Sequence, residues 1–155
     1  MHIQLLAVGT RMPGWIDAGF EDYRRRLPRE WGFELKKIPT SNRGLSNPER
    51  SLAVEGERLL AALPKRSYAL ALDVHGECWN TEAVAAQIEK WQAWGRDVAL
   101  MIGGPNGLSP ACIERADKLW SLSRLTIPHA LVRVIVVEQL YRAWTVMCHH
   151  PYHYG

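Results

Sequence analysis

Cysteine is scarce and unpatterned in this chain. Only Cys78, Cys112 and Cys148 occur in 155 residues, an odd number with no CxxC spacing. That supports neither a disulfide framework nor a zinc knuckle, and reduced thiols fit a cytosolic protein. Long apolar runs are missing as well. Aliphatic stretches such as Val134–Val137 are far too short to cross a bilayer. Met1–Thr10 lacks the charged start and long apolar core of a signal peptide. The expectation is a cytoplasmic protein with no membrane contact and no metal. There are no internal repeats, low-complexity stretches or linkers, so residues 1–155 read as a single domain. Neither GxGxxG nor GxxxxGK[ST] is present, which argues against a dinucleotide-binding or P-loop enzyme. No Ser-His-Asp or Cys-His set is legible from spacing, because such partners meet only in the fold.

What is present is an ordinary globular composition, 47% hydrophobic, with a net charge of +3. The balance permits nucleic-acid binding without demanding it. Arg24, Arg25, Arg26 and Arg29 lie close together, with Lys36 and Lys37 following. Such a cluster reads either as the solvated face of a surface helix or as a phosphate-contacting patch.

Pattern along the chain alternates strands and helices. Ile3–Val8 reads as a buried strand ending at Gly9. A helix is expected from Pro13 to about Leu27, then a strand over Phe33–Ile38 and a polar loop over Thr40–Pro48 containing Asn42, Gly44 and Asn47. Asn47 and Pro48 are a good cap and first residue for the next helix, whose apolar side is Leu52, Leu59, Leu60 and Leu63. Tyr68–Leu72 reads as a strand and Asp73–Gly76 as its turn. A helix over Thr81–Trp94 carries Val84, Ile88 and Trp91 on one face, closed by Gly95. Val98–Ile102 is a strand, Ser109–Pro110 opens a helix, and Leu119–Leu122 is a short strand. Leu131–Met147 is a long final helix, apolar almost all round, with Glu138 and Arg142 spaced to pair across one turn. The alternation implies an α/β fold with a mainly parallel sheet. A helix apolar on most sides in so small a domain points to a subunit interface. The seven Trp, among them Trp79, Trp91, Trp94, Trp120 and Trp144, read mostly as core or interface residues.

Three segments are candidates for chemistry. Ile102-Gly103-Gly104-Pro105-Asn106-Gly107 follows a strand, where glycines let a backbone approach a ligand, or simply make a tight turn. Leu122-Ser123-Arg124-Leu125-Thr126-Ile127-Pro128-His129 is a loop with small hydroxyls and free backbone groups, or an ordinary connection. The tail His149-His150-Pro151-Tyr152-His153-Tyr154 suits stacking on an unpaired base, a weak metal site, or an unstructured terminus. Asp73, at the end of its expected strand, is a ligand-orienting carboxylate or a turn former.

The same residues carry a family resemblance. From Leu6-Ala7-Val8-Gly9-Thr10, through Leu72-Asp73, Ile102-Gly103-Gly104-Pro105 and Leu125-Thr126-Ile127-Pro128-His129, to Glu138-Gln139-Leu140-Tyr141-Arg142-Ala143-Trp144 and His150-Pro151-Tyr152-His153, the chain resembles the RlmH family. These are SPOUT-class methyltransferases acting on N3 of a pseudouridine in 23S ribosomal RNA. The resemblance covers essentially the full length. It implies an α/β fold with helices flanking the sheet, a deep C-terminal trefoil knot, and a homodimer that works on the assembled ribosome. It implies S-adenosyl-L-methionine as methyl donor, held by Leu72, Gly103, Gly104 and the loop Leu122, Ser123, Arg124, Leu125, Thr126 and Ile127. It further implies Arg142 as the stabilising cation, His153 or His129 as the proton acceptor, and Tyr152 stacking on or hydrogen-bonding the target.

Overall fold

Five parallel strands form one sheet in the order β2-β1-β4-β3-β5. The computed structural model describes residues 1–41 and 47–154, apart from the His153 side chain. Asn42 and Gly44 of the expected loop lie outside the described residues. The strands are β1 (Ile3–Val8), β2 (Glu34–Ile38), β3 (Tyr68–Cys78), β4 (Val98–Ile102) and β5 (Lys118–Ser121), and the helices are α1 (Gly14–Arg24), α2 (Pro48–Ala62), α3 (Thr81–Trp94), α4 (Pro110–Arg115) and α5 (His129–Met147).

Side-chain alternation explains the layers. Ile3, Leu5 and Ala7 of β1 point into one core, with Phe20 of α1, Val84, Ile88 and Trp91 of α3, and Val136, Val137 and Leu140 of α5. Leu6 and Val8 point the other way, onto Leu59 of α2 and Cys112 of α4. A strand covered on both faces reads as a continuous apolar run, as β1 and β4 do. The α3 boundaries match the sequence exactly because its caps are strong. Asn80 Oδ1 accepts from Ala83 N at 2.8 Å, and Gly95 closes the helix at φ +65°.

Three expectations need correction. Asp73–Gly76 is not a turn; it lies inside β3, where the pairing with β5 shifts register between Leu72 and Glu77. An irregularity of this kind redirects side chains without ending the strand. The buried side of α2 is Ser51, Glu55, Gly56 and Leu59, while Leu52, Leu60 and Leu63 are only half-buried. The small Ser51 and Gly56 let α2 approach α4, where a Cβ on Gly56 would meet the Ser109 side chain. Finally, α1 stops at Arg24, with turn-like hydrogen bonds from Arg26 to Tyr23 and from Leu27 to Arg24 carrying the chain on to Pro28.

Asn47 caps α2 as its sequence predicts, its Oδ1 accepting from Glu49 N at 3.0 Å and Arg50 N at 3.4 Å. Asn47→Ala removes that cap, and urea unfolding should show a loss of about 1 kcal/mol. Of the Trp residues, Trp31, Trp91 and Trp120 are fully buried, whereas Trp15 and Trp94 are exposed. Among the described residues no helix is long and apolar enough to cross a membrane.

Candidate active site

Segments far apart in sequence meet at the carboxyl ends of β3, β4 and β5. Leu72 and Asp73 come from the irregular part of β3, Gly103 and Gly104 follow β4, and Leu122 to His129 lead from β5 into α5. Together they enclose a cavity of about 370 Å³. This is the edge at which open α/β sheets bind ligands, and the volume is that of a small-molecule site.

Each wall has a local cause. The turn after β4 folds back on itself, Gly107 N donating to Gly104 O at 3.0 Å with Gly107 at φ +79°. A Cβ on Gly103 would stand 2.2 Å from the Gly107 carbonyl oxygen. Only glycine allows this closure, which leaves backbone groups rather than side chains facing the cavity. The loop after β5 is fixed by its own hydroxyls. Ser121 Oγ donates to Ser123 O at 3.0 Å, and Leu125 N donates to Ser123 Oγ at 3.0 Å. Asp73 accepts from His75 N at 3.0 Å within β3 and lines the cavity.

Among the residues expected to hold a cofactor, Leu72, Gly103, Gly104, Leu122, Ser123, Leu125, Thr126 and Ile127 all line this cavity. Arg124 does not. Its guanidinium donates to Val74 O at 3.3 Å and so ties the loop to β3.

The residues expected to be catalytic fall into two groups. His129, in the first turn of α5, lines the glycine-walled cavity. Burial, then the nearby Arg133 charge, holds its imidazole below the ordinary histidine pKa, against an opposing pull from Glu55. Arg142 lines a neighbouring cavity of about 450 Å³, and Trp120 and Leu122 border both cavities. The predicted Glu138–Arg142 pair forms, with Arg142 Nε 2.8 Å and Nη2 2.7 Å from Glu138 Oε1. Tyr152 joins it: its hydroxyl donates to the same oxygen at 3.1 Å, and its ring lies 4.9 Å from the Arg142 guanidinium carbon and edge-on to Tyr141 at 4.7 Å. Hydrogen bonding to Glu138 raises the Arg142 pKa. Burial, then a hydrogen bond with Tyr23 and the Glu138 charge, pushes the Tyr152 phenol well above its usual value. Arg142 is therefore a permanent cation and Tyr152 a neutral donor. The His153 side chain lies outside the described residues. Pro151–Tyr154 forms a 3-10 turn against α5.

The arginine cluster is largely answered within α1 and its end. Arg24 pairs with Glu21, while Arg25 and Arg26 pair with Asp22 at 2.6 and 2.9 Å. Among the described residues no group of three or more His, Cys, Asp or Glu is placed to hold a metal ion.

Two polar residues beside the site escaped sequence reasoning. Arg133, near the start of α5, is 1% exposed, and its Nη2 donates to Val8 O at 3.1 Å and Gly9 O at 2.6 Å. Glu55 is 6% exposed, and its Oε2 accepts from Ser41 N at 3.2 Å. The available signal was an arginine within the apolar run Ala130–Val137 of α5.

Comparison with known proteins finds the same fold elsewhere. A structure from Bordetella pertussis Tohama I, described as a probable methyltransferase, superposes with a TM-score of 0.58 at 18% identity, over 92% of this chain and 95% of that one. TrmJ from Z. mobilis gives 0.57 at 13% identity, over 94% of this chain and 71% of that one. Legionella pneumophila Lpg2936, solved with the bound cofactor SAM, gives 0.52 at 12% identity, over 92% and 66%. At these identities the likeness concerns the fold. The family model described as predicted SPOUT methyltransferase matches residues 1–153. This chain therefore belongs to the SPOUT methyltransferase family.

Proposed function

We propose that this chain, as a single domain over residues 1–155, methylates N3 of a pseudouridine in 23S ribosomal RNA of the assembled ribosome, using S-adenosyl-L-methionine. The observation that carries the reading is the convergence of Leu72, Gly103, Gly104 and the Leu122–Ile127 loop on one cavity. Together with membership of the family, it supports the closer likeness to the RlmH family.

The donor fits what the chain offers. The cavity of about 370 Å³ is of small-molecule size. The turn at Gly103 closes only without a Cβ, and that closed turn lines the cavity with backbone. Bound there, S-adenosyl-L-methionine supplies a methyl group already activated by its sulfonium. Leu72, Leu125 and Ile127 would lie against it on one side, and backbone groups of the two loops would hold it. Arg124 contributes by tying the loop to β3.

An imide nitrogen is a poor nucleophile until its proton leaves, so a proton acceptor and an anion-stabilising cation are needed. His129 takes the acceptor role from within the donor cavity, and His153 is the alternative acceptor. Arg142, oriented by Glu138, provides the cation, and Tyr152 hydrogen-bonds or stacks on the target. The separation of His129 from the Arg142–Tyr152 pair by the Trp120–Leu122 wall fits a homodimer in which the tail and Arg142 of one protomer complete the cavity of the other. Half-buried Leu131, Ile135 and Val146 on α5 are suitable for that interface. The reading includes a trefoil knot formed around the two cofactor loops, and residence in the cytoplasm.

Titration calorimetry with S-adenosyl-L-methionine should show saturable binding heat. A docking module without a cofactor would give none, and a nicotinamide enzyme would respond to NAD instead. Mass spectrometry of 23S RNA after incubating the protein with S-adenosyl-L-methionine and ribosomes that carry pseudouridines but lack this methyl should find one added methyl on a pseudouridine. No added methyl would refute the substrate.

A further inference from the structure

Arg133 and Glu55 are among the most buried charged residues, and both leave polar atoms without a partner among the described residues: Nε and Nη1 of Arg133 and Oε1 of Glu55. Buried charge left unsatisfied is costly, and a fold keeps it where it does something. Both sit beside the candidate site. Arg133 lies one helical turn beyond His129 on α5, so the two share a face. Its Nη2 grips the carbonyls of Val8 and Gly9 at the exit of β1. Glu55 comes from α2, on the opposite face of the sheet. A Cβ on the cavity-lining Gly104 would stand 3.5 Å from its Oε1 and 3.1 Å from Val8.

We propose that Arg133 and Glu55 are positioning residues for His129, locking the end of β1 beside the cavity and bracketing the imidazole with one charge of each sign. The proposal rests on His129 facing the donor cavity, and on the function above only for its consequence in catalysis.

The charges act in opposite directions. The groups that bear on His129 are Arg133, one turn away, and Glu55, across the sheet, while Asp17 of α1 acts on Arg133 in turn. Burial, and after it Arg133, disfavour the imidazolium, which favours the neutral ring able to accept a proton. Glu55 favours the imidazolium, so it offsets the charge once the imide proton has moved to the ring. The proton then passes to water. Two opposed neighbours thus make the ring ready both to take the proton and to release it.

The test is an NMR titration of the His129 imidazole in the free full-length protein, paired with the pH profile of methyl transfer. Arg133→Met should raise the His129 pKa, and Glu55→Gln should lower it, each by about half a unit or more, given the strength of charge interactions at partly buried distances. The acid limb of kcat/KM should move the same way, to higher pH for Arg133→Met and to lower pH for Glu55→Gln. Arg133→Lys keeps the charge and should leave the limb in place even if the rate falls. Shifts of opposite sign are not produced by general loosening of the fold. Unmoved or same-direction His129 pKa values in Arg133→Met and Glu55→Gln would overturn the proposal. If Arg133→Met fails to fold, Arg133→Lys and Glu55→Gln still decide it, the first by leaving the pKa unmoved and the second by lowering it. Should the NMR shifts appear while His129→Ala keeps the wild-type acid limb, the bracketing stands and the assignment of His129 as base falls.

Discussion

Replacing Gly103 with alanine should weaken S-adenosyl-L-methionine binding by about 100-fold, close to 3 kcal/mol of binding energy. The new methyl carbon would stand 2.2 Å from the Gly107 carbonyl oxygen, 2.3 Å from its carbonyl carbon and 2.9 Å from Leu108 N. All three are backbone atoms, so no side chain can rotate aside to make room. The turn must open, and opening it moves Gly104 and Pro105, which line the same cavity. The protein itself should survive, because the clash is confined to one turn at the buried Gly103 and overpacking of this kind costs about 1–3 kcal/mol. Calorimetry and a thermal melt on the same sample separate the two effects. Gly14→Ala serves as the control, since a Cβ at Gly14 meets nothing within 4 Å. An alanine at Gly103 that binds the donor as the unaltered protein does would show that this turn does not form the cofactor site.

Arg142→Ala should reduce methyl transfer about 10³-fold while leaving donor affinity nearly unchanged. Removing a single group that stabilises developing negative charge typically costs 10²–10³ in turnover. Arg142 does not line the glycine-walled cavity of its own protomer, and the role proposed for it is toward the target base, so donor affinity should change little on its loss. The substitution also leaves the Glu138 carboxylate facing the Tyr152 hydroxyl without its cation. Arg142→Lys should rescue only partly. An ammonium keeps the charge but lacks the planar fork that places both Nε and Nη2 on Glu138 Oε1. Single-turnover kinetics with calorimetry on the same variants reads both quantities. Wild-type turnover in Arg142→Ala would remove it from the chemistry.

Much of the fold was legible locally. Strands β1 and β4 announce themselves as short apolar runs, and α3 by period and caps, because these signals lie within a few residues of each other. Gly103 and its neighbours marked a turn after a strand for the same reason. The Glu138–Arg142 pair followed from helical spacing alone. Legibility failed where distant packing overrode local pattern. Asp73–Gly76 looks like a turn by composition, yet β5 pairs on both sides of it and keeps it within β3. Helix α2 buries Ser51, Glu55 and Gly56 beside Leu59, in preference to Leu52, Leu60 and Leu63, because α4 and β1 approach closely there.

The sequence by itself determined the elements, their alternation and the two loops suited to a ligand, since each depends on hydrogen bonds and side-chain periods confined to one segment. Only the tertiary structure decided that those loops share a cavity, that Arg142 and Tyr152 stand together while His129 stands apart, and that Arg133 and Glu55 are buried beside it. The physical reason is sheet order. By placing β3 between β4 and β5, the fold brings together residues separated by long stretches of chain, and no local period encodes that neighbourhood.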